Sequence, residues 1–595
     1  MLAYNDEDMW TEYHVAPKYN LFYQIWSELL HTDTMSSYRH SLMNSLSCLE
    51  EVKSVIALSL NDASSNASVT ECLKEAVETL NHDPVLEKYY SVILSALVNS
   101  QGSLNDNDIK KDSKKHARLY LAEYALEKIK PDYMNKLFLE LEDALDEGRQ
   151  DRIITCTNIL ISCCVNTGWH PSALYYSIRI LNNSEANPGK WEQFKTYITQ
   201  GRHEYEVYFP LCVEDNTVRE DRNASIHDEN LREINTMGFA VINGGELRAN
   251  FQCADKPENF NTRQNYIVIP VQSYDIYSAS LEAVQKISLV FNFLGLYNRI
   301  KAWNIRGTLW GVLDTRSRKL SWVREDKLFG AYNYRPMETG KVYTSARNIL
   351  MQGSGSEINR RLVSVLSYIN MGKRSYSFEE RFINFWVGFE SFCKSDVSDE
   401  IIINVIEAVS AGMCIRYIYR LFYNFISDCR RCRVDIDNFL AGASSRDEQV
   451  KNIIAALRDE NNYAALDALC SVNTLLKIRC QEMRSLASDD LAMMNRVEAY
   501  HQKVSWQVRR LYRLRNSIAH NAERFSANYL SVCTNHLDEY LRTFLNEAIM
   551  YSVRHPGLDL RRIFEMMKDN YEIFREKAAI KKMDEFMQSG IIDFI

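Results

Sequence analysis

Apolar residues along most of this chain recur every three or four positions, the spacing of helices with one buried face. In "HARLYLAEYALEKIKPDYMNKLFLELEDALDEG" the rhythm is interrupted by Pro131 and closed by Gly148, which predicts two helices and a stop. "DRIITCTNILISCCVNTGWHPSALYYSIRILN" continues as a helical hairpin turning at Thr167–Pro171. Residues 1–205 therefore read as a helical N-terminal region without a fixed-period repeat. From 206 to 350 the texture changes. "NYIVIPV", and the pair "GTLWGVLD" and "KLSWVRE" joined by a polar "TRSR" turn, read as strands and a hairpin. Leu281, Val284, Phe291 and Leu294 outline a helix between them, so the region is a small mixed α+β module. The polar run "EDNTVREDRNASIHDENLRE" is its expected linker.

Helical spacing returns at 355–555, in "RRLVSVLSYIN", "FEERFINFWVGFESFC", "IIINVIEAVSAGMCIRYIYRLFYNFI", a shorter middle set and a long helix from about Asp489 to His520. In the next helix Leu530, Leu537, Leu541, Phe544 and Ala548 share one stripe, as a bundle helix requires. Pro556–Gly557 precedes a charged helical tail, 556–595. The expected class is mainly α, with a helical N-terminal region, the α+β module and a C-terminal four- or five-helix bundle.

A chain of 595 residues is too long for one core and implies several domains. Its 46% hydrophobic and 25% charged residues are those of a soluble globular protein, and 21 Gly with 10 Pro suit helical structure. The net charge of −8 excludes a protein that coats nucleic acid over its whole surface, so any such site must be a local basic patch. "MLAYNDEDMW" lacks the basic and apolar regions of a secretory signal. "IIINVIEAVSAGMCIRYIY" carries Asn404, Glu407 and Arg416, which predicts a buried helix and no membrane span. The 14 scattered cysteines fit a reducing compartment, so a cytoplasmic protein is expected.

No phosphate-binding glycine loop, dinucleotide fingerprint, H-E-x-x-H or G-x-S-x-G occurs. Cys429 and Cys432 form one C-x-x-C without a second pair or a nearby histidine, and read as bundle thiols. No metal or cofactor is expected.

The informative stretch is "RLYRLRNSIAHNAERF", Arg510 to Phe525. On a helical wheel Val504, Val508, Leu511 and Ile518 define an apolar stripe, and Arg515 falls inside it. Arg509, Arg513, Asn516 and His520 share a neighbouring ridge. A guanidinium among apolar neighbours calls for a partner, an interface or a ligand. Glu390 is an acid equally misplaced on the apolar stripe of Ile383, Trp386 and Cys393, so it is the candidate partner. Asn516 and His520 lie one turn apart, so the amide can fix the imidazole's tautomer. Between His501 and Phe525 the cations Lys503, Arg509, Arg510, Arg513, Arg515 and Arg524 face one acid, Glu523, a patch suited to phosphate contacts.

"LYRLRNSIAH", an Arg followed by a polar residue and then a His at a helix end, resembles the signature of the HEPN superfamily. "RFINFWVGFESF" resembles the first bundle helix of its Apea-like branch, and the resemblance covers about 375–555. It implies a bundle that dimerises, or assembles further, with both motifs facing one cleft. It also implies metal-independent cleavage of RNA, in which the 2′-hydroxyl attacks the adjacent phosphorus. His520 would move protons and Arg515 would stabilise the transition state, with Asn516 orienting His520 and Glu390 positioning Arg515. Arg509, Arg510, Arg513, Lys503 and Arg524 would hold the RNA. Members are found in abortive-infection and toxin systems, so the N-terminal regions are expected to sense an unknown activating ligand or protein. Arg222/His227 and Arg496/His501 share the Arg-x4-His spacing, but the first reads as a loop coincidence and the second as a packed histidine. The competing expectation is a non-catalytic interaction or scaffold protein whose bundle serves only to dimerise.

Overall fold

In the computed structural model, residues 14–32, 34–61, 65–102, 110–215, 228–297, 300–305, 309–325, 328, 339–351, 356–375, 377–393, 401–521 and 525–579 are described. Among these residues the chain is mainly helical with one small antiparallel sheet. The N-terminal helices follow the apolar rhythm closely. Asp112–Ile129 and Tyr133–Glu147 flank Pro131, and Gly148 ends the second in the left-handed region, at φ 67°. Gln150–Thr167 and Pro171–Ser177 form the expected hairpin.

The sheet has the order β2 (Ala240–Asn243), β3 (Asn265–Ser273), β1 (His203–Asp215), β5 (Leu309–Asp314), β6 (Lys319–Arg324), and β4 (Ile300–Ile305) pairs with the far end of β1. β5 and β6 are the expected hairpin, in register from Leu309 opposite Arg324 to Asp314 opposite Lys319. The central strand β1 was not expected, although its alternation is legible: Tyr205, Val207, Phe209 and Leu211 point into the main core. Tyr208 points the other way, into a small second core with Phe260, Tyr266, Val268 and Leu313. The helix Ile276–Leu296 packs on the main-core face, where Leu281, Val284, Phe291 and Leu294 are buried. The centre of the expected linker, 216–227, lies outside the described residues, and its ends belong to β1 and the helix Asp228–Thr236.

In the C-terminal part, Phe378–Cys393 packs between Glu357–Arg374 and Ala527–Arg554, while Ile401–Cys414 packs on the long helix Asp490–Asn521. The segment read as one apolar helix breaks at Arg416, whose φ is 55°, and continues as Tyr417–Arg431 at a 42° bend. No single helix among the described residues is long and apolar enough to cross a membrane. At Gly412 a Cβ would lie 2.6 Å from the ring of Phe544, so the glycine permits the close crossing of these helices. The tail helix Leu560–Ala579 packs against Ile401–Cys414 and the long helix, burying Ile563, Phe564, Met567 and Phe574.

Polar pairs of great sequence separation join the regions. The carboxyl of Asp275 caps Ile276–Leu296 through the N–H groups of Tyr277 and Ser278, and also accepts the N–H of His170 at 3.0 Å. Arg479 donates to Glu28 at 2.9 Å, and Arg39 pairs with Glu539.

Candidate active site

The site lies at the C-terminal end of the long helix Asp490–Asn521. Val504, Val508 and Leu511 are fully buried and commit the apolar stripe to the core. The stripe fades over the last two turns: Arg515, Asn516 and Ile518 are half-buried, and His520 is exposed. Arg515 therefore sits where core gives way to solvent, with its guanidinium within reach of a ligand.

Arg515 Nη1 donates to Asn516 Oδ1 at 3.0 Å and meets His520 Nε2 at 3.2 Å. A guanidinium has only donors, so Nε2 must accept through its lone pair. His520 is thus a neutral ring in this contact, with its proton on Nδ1. The cation and the base are assembled by one chain, one and a half turns apart on one helix. Two expected roles change. Asn516 does not orient His520; it steadies Arg515, which engages the imidazole directly. Glu390 does not reach Arg515: its Oε2 accepts from Trp386 Nε1 at 2.9 Å, one turn back on its own helix. Trp386 in turn lies against Tyr512, with ring centroids 5.7 Å apart, so this helix contributes an aromatic wall near the site.

The turn after His520 is pinned from two sides. Gln285 Nε2, from the α+β module, donates to the carbonyl of Phe525 at 3.3 Å and to Glu379 at 3.0 Å. Asn528 Nδ2 donates to the carbonyl of Gly168, in the N-terminal region, at 2.6 Å. Residues 522–524, Arg524 among them, lie outside the described residues.

The expected basic patch needs a larger correction. Arg510 is buried and donates to Glu75 at 2.6 Å and to Glu51 at 3.0 Å, while Arg513 pairs with Glu51 and approaches Ser68 Oγ at 3.4 Å. Both guanidinia are spent on the N-terminal helices Ser45–Leu60 and Asn66–Asn81, and neither is presented to RNA. The reason is stoichiometric: the five donors of one arginine can satisfy two carboxylates, here the buried Glu75 and the half-buried Glu51. Burial alone would raise Glu51, but Arg510 and Arg513 outweigh it and hold the carboxyl below its usual range. Burial pushes Glu75 up despite Arg510. Arg509 is half-buried. Lys503 is exposed, but lies about 26 Å from His520 along the helix at about 1.5 Å per residue, beside a different cavity.

His501 stacks on Tyr571 at 4.2 Å, and burial lowers its pKa to about 4, as befits a packed ring. Arg222 and His227 lie outside the described residues. Among the described residues no cluster of His, Cys, Asp or Glu is arranged to hold a metal ion. Cys429 faces Cys470, which also contacts Cys480, an arrangement that local spacing could not reveal. A neutral imidazole beside a fixed guanidinium can take a proton while the cation steadies a developing oxyanion. The sequence matches no family model, and comparison with curated proteins and with solved structures finds no significant relative.

Proposed function

We propose that the chain is a metal-independent endoribonuclease of the HEPN type, acting in the cytoplasm as a homodimer or higher oligomer. The observation that carries the reading is the 3.2 Å contact between Arg515 Nη1 and His520 Nε2 at a solvent-facing helix end. Nε2 accepts the proton of the attacking 2′-hydroxyl as Arg515 transfers its hydrogen bonds to the phosphoryl oxygens. The products are a 2′,3′-cyclic phosphate and a 5′-hydroxyl. One imidazole per chain cannot easily serve both the attacking and the leaving oxygen, so a second chain supplies the acid. The N-terminal helices act as a restraint, because Glu51 and Glu75 grip the helix that bears the site. In this reading the protein is a regulated toxin-like effector of antiviral defence.

The test is incubation of the purified chain with total RNA in EDTA, with product ends mapped. Cyclic-phosphate ends that vanish with His520→Ala support the proposal; no cleavage by the intact chain under any activating condition overturns it.

One observation favours a second reading, a non-catalytic interaction protein. Two of the cations that would grip RNA, Arg510 and Arg513, are consumed by internal ion pairs. That reading requires RNA to remain intact at every protein concentration.

A further inference from the structure

A second polar site lies about half-way back along the same helix, where the N-terminal region meets the bundle. The loop before the helix Ser45–Leu60 supplies Arg39 and His40, the long helix supplies Lys503, Gln507 and Arg510, and Ala527–Arg554 supplies His536 and Glu539. They enclose a cavity of about 40 Å³, room for roughly three waters at the 10–15 Å³ that one needs, and comparable to one small tetrahedral anion.

The hydrogen bonds fix which ring nitrogens can serve a ligand. His40 Nδ1 lies 3.1 Å from the carbonyl of Leu29, which can only accept, so Nδ1 carries a proton. Its Nε2 is buried without a partner, in a residue only 2% exposed. Gln507 Oε1 accepts from Arg510 Nη1 at 2.6 Å, so its amide nitrogen is the atom 3.2 Å from His536 Nδ1. That nitrogen donates, which places the proton of neutral His536 on Nε2.

The charges do not balance. Glu539 is paired with Arg39, and Glu75 with Arg510. Lys503 has no carboxylate within ion-pair distance among the described residues, so it is the surplus cation. Burial, followed by Arg39 and Lys503, lowers His40 to about 4. Burial, then His40 and the same cations together with Arg510, pushes His536 well below its usual value. Burial and Arg496 lower Lys503 itself, against the opposite pull of Glu539 and Glu75, although the residue is open to solvent. His40, His536 and Lys503 are thus held toward their neutral forms, first by burial and then by the neighbouring cations.

We infer that this cavity binds a small oxyanion of the phosphate class, held by Lys503 and by His40 Nε2, which takes up a proton when the anion enters. The anion is either free phosphate or the terminal phosphate of a nucleotide. Because Arg510 and Glu75 join the N-terminal helices to the long helix here, and Arg39 and Glu539 join them to Ala527–Arg554, occupancy changes the seam between the two regions. The inference is independent of the ribonuclease reading.

The experiment is equilibrium dialysis of the full chain against labelled inorganic phosphate. Saturable binding of one anion per chain is expected, weakened roughly tenfold or more in Lys503→Met and in His40→Phe, as for loss of one charge-assisted hydrogen bond. Lys503→Arg should restore most of the affinity. Lys503 is exposed, so its variants test the site even if His40→Phe folds poorly. Displacement of phosphate by a nucleoside monophosphate at lower concentration assigns the anion to a nucleotide; failure to displace assigns it to free phosphate. Absence of saturable binding at millimolar phosphate, or equal binding by Lys503→Met, overturns the inference.

Discussion

Arg515 and His520 of a single chain hold each other at 3.2 Å, guanidinium to unprotonated ring nitrogen. The contact exists only while the ring is neutral, since a protonated Nε2 would point a donor at a donor. His520→Ala and Arg515→Ala should each lower RNA cleavage by about a hundredfold or more, the usual scale for losing a positioned base or an oxyanion donor. Both side chains lie where the helix emerges from the core, so thermal unfolding should be nearly unchanged. Mapped RNA ends and melting curves on the same preparations check this. Wild-type cleavage by either folded variant would remove these residues from the chemistry.

Glu390 separates two accounts of what positions Arg515. An ion pair with Arg515 would make Glu390→Gln nearly as damaging as Arg515→Ala. With Glu390 accepting from Trp386 Nε1 at 2.9 Å instead, the glutamine keeps an acceptor in place and cleavage should stay at the wild-type level. Asn516→Ala should be the more damaging of the two, because it releases Arg515 Nη1 from its 3.0 Å bond. Single-turnover rates of the two variants decide the order.

What the amino-acid order revealed divides along a physical line. Apolar periodicity located the helices because burial of one face is a local property: Phe378–Cys393 begins and ends where its pattern does. β1 alternates just as clearly, from Tyr205 to Leu211, yet it straddles the boundary expected at 205, where helical spacing on one side masks the strand period on the other. The pairing of charges was not legible at all. Arg510 meets Glu51 and Glu75 across 459 and 435 residues, and nothing near "RLYRLRNSIAH" announces them. A run of arginines on a helix face therefore read as a phosphate-binding patch when half of it was an internal seam. Arg515 and His520 were legible because both lie within one and a half turns of the same helix.

That seam has a measurable signature. Removing Arg510 leaves the carboxylates of buried Glu75 and half-buried Glu51 short of their principal counter-charge, a change that costs about 3–5 kcal/mol when a buried pair loses one partner. Arg510→Met should lower the melting temperature sharply. The double variant Arg510→Met, Glu75→Gln should recover part of the loss, because Glu75 then carries no unpaired charge and Glu51 keeps its pair with Arg513. Arg510→Met that melts like wild type while losing RNA affinity would instead return Arg510 to the RNA-binding set.

Acid should loosen the protein through its buried histidines before it touches most carboxylates. Burial lowers His170 to about 3, and burial with Arg39 and Lys503 lowers His40 to about 4, against about 6.5 in an unfolded chain. Above pH 6.5 both states carry neutral rings and the term vanishes. Between pH 6.5 and about 4 the unfolded chain binds protons that the folded chain refuses, so stability falls as pH falls. The effect is on the order of 3 kcal/mol per ring across that window. His170 also caps the helix Pro171–Ser177, its Nδ1 accepting the N–H of Ser172 at 3.1 Å. His170→Asn keeps a capping acceptor and removes the titration, so it should flatten the decline in melting temperature between pH 7 and pH 5 without a large change at pH 7. An unchanged slope in that variant would mean that His170 takes up its proton within the folded state.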